Sequence, residues 1–215
     1  MHSINICRPS KTSHYYDWVS VLNSYLQYVF PSARVLEIGA SNLARTQELS
    51  RWCRELIGVE LLRERTPKDF GNVKYFTGDW QNLGGLVAPK SIDVAVSTHV
   101  IEHVPNDLRA INELYGALRP GGIAILNTPN RKRLTRAVVE KLRGKRRFPY
   151  GEHQREYSES DLKQLIDASH FHHYSIFPVV FGLHGGPMYA FTTMVPESLR
   201  GLASFWEIHL FKESN

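Results

Sequence analysis

VLEIGASN, Val35 to Asn42, decides how the rest of the chain is read. From Arg34 to Gly39 the run is short and apolar enough for a buried strand, and it breaks at a glycine followed by small residues, which suits a tight turn into a helix. Leu49, Trp52, Cys53 and Leu56 then fall at i, i+3, i+4 and i+7, predicting that helix, and IGVE, Ile57 to Glu60, reads as a second strand. After a polar helical stretch, VKYF (Val73 to Phe76) gives a third strand and IDVAVS (Ile92 to Ser97) a fourth. Leu108, Ile111, Leu114 and Leu118 predict a helix broken by RPGG, Arg119 to Gly122. IAILN, Ile123 to Asn127, is the fifth strand and ends in the Thr128-Pro129-Asn130 turn.

The flanks extend this alternation. Residues 14–30 place Trp18, Leu22, Tyr25, Leu26 and Val29 on one helical stripe closed by Pro31, so residues 1–32 read as a helical lid. In YSESDL, Ser158 can cap a helix with Asp161 at its third position, and Leu162, Leu165 and Ile166 face inward. Apolar runs at 175–181 and 205–211 predict a terminal antiparallel hairpin. Strands alternating with helices imply one α/β domain over residues 1–215, its seven-stranded, mostly parallel sheet covered on both faces.

Composition narrows the setting. No transmembrane span, secretory signal or repeat is apparent, and two cysteines, Cys7 and Cys53, are too few for a disulfide framework, so a cytoplasmic location is expected. The net charge of +5 is concentrated in one place. Arg131 to Arg147 holds nine bases against Glu140 alone, leaving 17 bases and 20 acids elsewhere.

HVIEH, His99 to His103, matches the H-x-x-E-H pattern of inverted zinc metallopeptidases. That chemistry needs a helix, whereas here the pattern follows an apolar strand. In open α/β sheets ligands bind beyond the carboxyl ends of the strands. This singles out Gly39 to Asn42, Glu60, Asp79 and Trp80, His99 to His103, and Asn127 to Asn130.

These residues resemble the class I S-adenosylmethionine-dependent methyltransferases, especially the small branch with quinone-biosynthetic and glycan O-methyltransferases, over residues 33 to 171. The resemblance implies a Rossmann-like doubly wound fold. It makes Glu37, Gly39, Ala40 and Ser41 the first cofactor motif, although Ser41 and Leu43 stand where the family usually has its second and third glycines. Glu60, 21 positions after Gly39, would accept from both ribose hydroxyls, with Leu61 beside it. Asp79 would accept from the adenine amino group, Trp80 would flank the ring, and His99 would border the sulfonium. Each has a plainer alternative: Glu37 binding backbone amides, Asp79 shaping a turn, Trp80 filling the core. A nicotinamide-binding domain would want G-x-G-x-x-G, where this chain has G-x-S-x-x-A.

Methyl transfer to a hydroxyl needs alignment and a base, and histidine suits the proton. The candidates are His99, His103 and His153. HQREYS, His153 to Ser158, fits the branch's His-x-Arg-x-Tyr/Phe-Ser signature and makes His153 the expected base, the alternative being a histidine that only fixes the insertion to the helix cap. His99, Glu102 and His103 could instead hold a divalent metal; family precedent implies magnesium, while two imidazoles favour transition metals. Residues 131–157 read as an acceptor-side insertion. Its Leu134, Val138 and Leu142 suit a basic helix on an anionic membrane surface, a solvated lid being the alternative, and residues 131–147 lack the aromatics that nucleic-acid binding favours. Phe181, Tyr189, Phe191, Phe205 and Trp206 could face a sugar or lipid-linked acceptor, or form core. The expected reaction is O-methylation of a saccharide or related small molecule. Quinone, phenol or RNA ribose methylation, and a noncatalytic cofactor-binding domain, are the competing readings.

Overall fold

The computed structural model describes residues 18–144, 152–185, 188–192 and 195–214. In chain order its strands are β1 (Arg34–Ile38), β2 (Glu55–Glu60), β3 (Val73–Thr77), β4 (Ile92–Thr98), β5 (Leu118–Pro129), β6 (His173–Val179), β7 (Phe181–Gly185), β8 (Met188–Thr192) and β9 (Phe205–Phe211). The helices are α1 (Trp18–Leu26), α2 (Leu43–Ser50), α3 (Asp107–Ala117), α4 (Leu134–Arg143) and α5 (Glu159–Asp167). Seven strands form one sheet in the order β3-β2-β1-β4-β5-β9-β6, in which β9 alone runs antiparallel. The strand order reverses between β1 and β4, so a crevice opens beyond Ile38 and Thr98.

Strand periodicity builds two cores. Val35, Val94, Val96, Ile123 and Ile125 face one side with Leu22, Tyr25 and Leu26 of α1 and Leu49 of α2. Leu36, Ile38, Ala95, Ala124 and Leu126 face the other with Ile111 and Leu114 of α3 and Leu162 and Ile166 of α5. Each large aliphatic side chain so buried stabilises the fold by roughly 1.5–3 kcal/mol. The Tyr25 hydroxyl crosses the first core to donate to Asn127 Oδ1 at 2.9 Å and to the Ser97 carbonyl at 3.3 Å, and it also meets Thr98 Oγ1. Burial pushes this phenol well above the usual tyrosine range.

Several predicted elements are corrected. Of the stripe Leu49-Trp52-Cys53-Leu56, Trp52 is exposed and the other three are buried, but α2 stops at Ser50 and Leu56 belongs to β2. The Asn72 side-chain amide donates to the Ser50 and Cys53 carbonyls at 2.9 Å and closes the bend between them. The polar stretch at 61–72 holds only a 3-10 turn, Arg63–Arg65, because Pro67 draws Thr66 into an extended conformation. Leu118 opens β5 instead of closing α3, and RPGG is an irregularity within that strand, where a side chain at Gly122 would crowd three carbonyls at 3.0–3.1 Å. Thr128 and Pro129 continue the strand. The terminal hairpin has β9 inserted between β5 and β6, with a β7–β8 ribbon in the connection. Trp18, Tyr189 and Phe191 have side chains outside the described residues, as do Cys7, residues 1–17 and Lys145 to Arg147 entirely.

The predicted cap forms in full. Ser158 Oγ accepts from Asp161 N at 3.3 Å, and Asp161 Oδ2 accepts from Ser158 N at 2.8 Å. Ser158→Ala is expected to cost about 1 kcal/mol, read as a lower urea midpoint. Burial works to raise the Asp161 carboxyl, but the Ser158 hydrogen bonds and the charges of Arg131 and Lys132 hold it below its ordinary value. Its contribution is therefore present at neutral pH and lost as pH falls through the depressed value. Among the described residues, no helix is long and apolar enough to cross a membrane.

Candidate active site

The turn after β1 exists because of Gly39. Its φ is +71°, and a Cβ there would lie 2.4 Å from Val100 Cγ2. The amides of Gly39 and Ala40 donate to the Val59 carbonyl at 2.8 and 3.3 Å, fixing the turn against β2. Gly39→Ala combines left-handed strain with a clash, so a loss of about 2 kcal/mol or more is expected in urea unfolding. On the other side of this turn lies a cleft of about 250 Å³, lined among others by Gly39, Glu60, Asp79, Trp80, Val100 and His103.

Two carboxylates converge there. Glu60 is buried at the end of β2; one oxygen accepts weakly from Leu62 N at 3.4 Å, and among the described residues the other has no donor. Asp79 accepts from the Gln81 amide at 2.8 Å and from Gln81 Nε2, which caps a 3-10 turn and steadies its orientation. Trp80 is only 3% exposed, and its indole N–H has no partner among the described residues. Leu61 forms the open rim.

Other members of the first motif sit elsewhere. Glu37 is fully buried and accepts from Arg45 Nε at 2.5 Å and Thr46 Oγ1 at 2.6 Å, which ties β1 to α2. Ala40 is buried, Ser41 is exposed, and neither lines the cleft. Asn42 caps α2 by accepting from Arg45 N at 3.2 Å.

HVIEH is not helical at its start. His99 takes φ +55°, sets its ring edge-on to Phe205 at 4.9 Å, and lies outside the cleft lining. Ile101–His103 then form one 3-10 turn. Glu102 is fully buried; Oε2 accepts from Thr128 Oγ1 at 3.1 Å, and Oε1 lies 3.3 Å from His99 Nδ1. Burial works to raise the Glu102 carboxyl, but His99 and the charge of His103 outweigh it and hold it below the usual range. The Glu102 carbonyl accepts from the amides of Gln154 and Arg155 at 2.8 and 3.2 Å, stitching HVIEH to HQREYS.

This stitch brings two histidines together. His103 Nδ1 is 2.8 Å from the Glu152 carbonyl, and its ring stands perpendicular to that of His153 with centroids 4.7 Å apart. His153 Nδ1 lies 3.0 Å from Glu156 Oε1. Ligand-capable atoms of Glu102, His103 and His153 lie within 4.8 Å of one another, and His99 is outside that group. Glu156, which meets His153, and Arg133 and Arg136, which meet Glu156, were not among the expected site residues. Glu156 stands inside HQREYS, but nothing in the sequence pairs it with bases 20 and 23 positions away.

A family described as the methyltransferase domain matches residues 12–175. Among curated relatives, a probable S-adenosylmethionine-dependent methyltransferase of Mycolicibacterium smegmatis is 33% identical over 91 residues, 42% of this chain and 33% of that one. A ubiquinone biosynthesis O-methyltransferase of Cereibacter sphaeroides is 28% identical over 131 residues, 58% of this chain and 53% of its own. The chain thus spans between a third and about half of these relatives' length. Among solved structures, a Thermotoga maritima S-adenosylmethionine-dependent enzyme, described as a possible histamine N-methyltransferase, gives a TM-score of 0.62 at 23% identity, covering 89% of both chains. Phosphoethanolamine N-methyltransferase 2 of Haemonchus contortus, solved with S-adenosylmethionine, gives 0.60 at 14% identity, over 91% of this chain and 53% of that one. At such identities these structures show the fold alone. The family match spans more than half of the chain, which therefore belongs to the class I S-adenosylmethionine-dependent methyltransferases.

Proposed function

We propose that this chain binds S-adenosylmethionine in the cleft beside Gly39 and methylates a hydroxyl of a small-molecule acceptor, with saccharides as the first class to test. The observation that carries this reading is a carboxylate oxygen of Glu60 that meets no donor among the described residues, in a cleft also lined by His103, whose ring stands perpendicular to that of His153. Glu60 suits a vicinal diol, and Asp79 suits an exocyclic amine. When bound, the cofactor supplies an activated methyl group; the residues must hold it, orient the acceptor and take its proton. His153 receives the hydroxyl proton as the oxygen attacks, and His103 packs the ring in place. Expulsion of water from the cleft strengthens these contacts.

A phenol or quinone precursor is the second acceptor class, favoured by the names of the ubiquinone-biosynthetic relatives. Metal assistance fits the residues less well, because Thr128 already donates to Glu102 Oε2, while Oε1, without a hydrogen bond among the described residues, faces His99 at 3.3 Å and not the cleft; turnover that resists EDTA is the expected result. The exposed Leu142 and the exposed bases Arg131, Lys132 and Lys141 suit contact with an anionic surface, which cosedimentation with phosphatidylglycerol vesicles would measure. We place the reaction in the cytoplasm. Two experiments test the reading. S-adenosylhomocysteine should raise the melting temperature, and radiolabelled methyl transfer to saccharides, catechols and RNA should mark one of the first two. No thermal shift would remove the cofactor reading, and label in RNA alone would remove the acceptor assignment.

A further inference from the structure

Glu156 has a side chain fully shut off from solvent, yet it lies in the connection between α4 and α5 on the acceptor side. Its Oε2 accepts from Arg133 Nη1 at 2.6 Å and from Arg136 Nη1 at 3.4 Å. Its Oε1 is 3.2 Å from Arg133 Nη2 and 3.0 Å from His153 Nδ1. The two-pronged guanidinium contact fixes both the plane and the position of the carboxylate. An ionised carboxylate only accepts hydrogen bonds, so the ring nitrogen facing it has to carry a proton. In the neutral imidazole the lone pair then belongs to Nε2.

We propose that Glu156, clamped by Arg133 and Arg136, is a positioning residue that sets the tautomer and orientation of His153, so that Nε2 presents its lone pair to the acceptor hydroxyl. The proposal rests on the reading of His153 as the base. It also gives part of the basic segment an inward purpose. Arg133 is the N-cap residue of α4 and Arg136 lies in its first turn, so docking of α4 and alignment of the base are one event. Arg133 also donates to the Asn130 carbonyl at 2.9 Å, anchoring the clamp to the end of β5. The buried Arg133 and the half-buried Arg136, which also pairs with Glu140, converge on one carboxylate and behave as part of the site, unlike the exposed Lys132 and Lys141 beside them.

Long-range proton–nitrogen NMR of imidazole-labelled protein reads the tautomer directly, with His153 assigned by the signal lost in His153→Gln. Neutral His153 is expected to be protonated on Nδ1. Glu156→Gln, whose amide can turn an N–H toward the ring, should move it toward the Nε2-protonated form. With the acceptor identified by the methyl-transfer panel, the same variant should lose about 100-fold in kcat with little change in acceptor KM. Glu156→Asp should recover much of that loss, and S-adenosylhomocysteine affinity should be unchanged in both variants. Unaltered protein with His153 protonated on Nε2 would overturn the assignment without recourse to a variant. Full kcat in a folded Glu156→Gln would do the same, provided His153→Ala is impaired. If His153→Ala keeps full turnover, the base reading fails instead, and the tautomer of the unaltered protein still decides the role of Glu156.

Discussion

Replacing His153 with alanine is expected to lower turnover about 100-fold or more, the scale of lost acid–base catalysis, while leaving the affinity for S-adenosylhomocysteine intact. The separation follows from geometry: His153 meets Glu156 and the ring of His103 and does not line the cofactor cleft. A purely structural histidine would give the opposite pattern. Truncation would then lower the melting temperature and the folded fraction, and each folded molecule would turn over normally. Single-turnover kinetics normalised to cofactor-binding sites distinguishes the two, and unchanged chemistry per site would end the assignment of His153 as base.

Glu60→Ala should raise the dissociation constant for S-adenosylhomocysteine about 100-fold. Two hydrogen bonds from ribose hydroxyls to an ionised acceptor contribute together about 3 kcal/mol, which converts to that factor. The same change should leave the unliganded protein as stable as before or more so. A buried carboxylate whose one donor among the described residues is a 3.4 Å amide is poorly compensated without ligand. Calorimetric titration and thermal melts on one preparation would test both halves. Full affinity in Glu60→Ala would show that the ribose is held elsewhere.

The order of strands and helices was legible because five apolar runs are each followed by a glycine or polar break, namely Gly39, Glu60, Gly78-Asp79, His99 and Asn127 to Asn130, at the carboxyl edge of the sheet. Boundaries were less legible where burial and periodicity coincide by accident. Leu56 and Leu118 continue a helical stripe on paper, yet each is buried because it starts a strand beneath the helix that precedes it. The β9 insertion was hidden for another reason. Phe205 to Phe211 is buried on both faces, and period alone cannot say which neighbours such a strand takes. At the site, Glu60, Asp79, Trp80, Gly39 and His103 were read from position after a strand and do line one cleft. His99 follows a strand in the same way and Glu37 stands near the end of β1, but Arg45 and Thr46 hold the latter, and a left-handed backbone turns His99 toward Phe205. Glu156 escaped notice because its meaning lies in two arginines distant in sequence.

The amides of Gln154 and Arg155 on the Glu102 carbonyl have a thermodynamic consequence. Through them the wall that holds His103 and the segment that carries His153 form one mechanical unit, although some 50 residues separate them in sequence. Cofactor and acceptor would then touch opposite sides of a shared body. Whatever free energy cofactor occupancy contributes to the seating of the acceptor segment, acceptor binding must return in equal measure to cofactor affinity. The coupling between the two ligands would then run through these backbone hydrogen bonds together with the side-chain links of His103 to the Glu152 carbonyl and of Arg155 to Asp107, and weakening that joint would reduce the coupling.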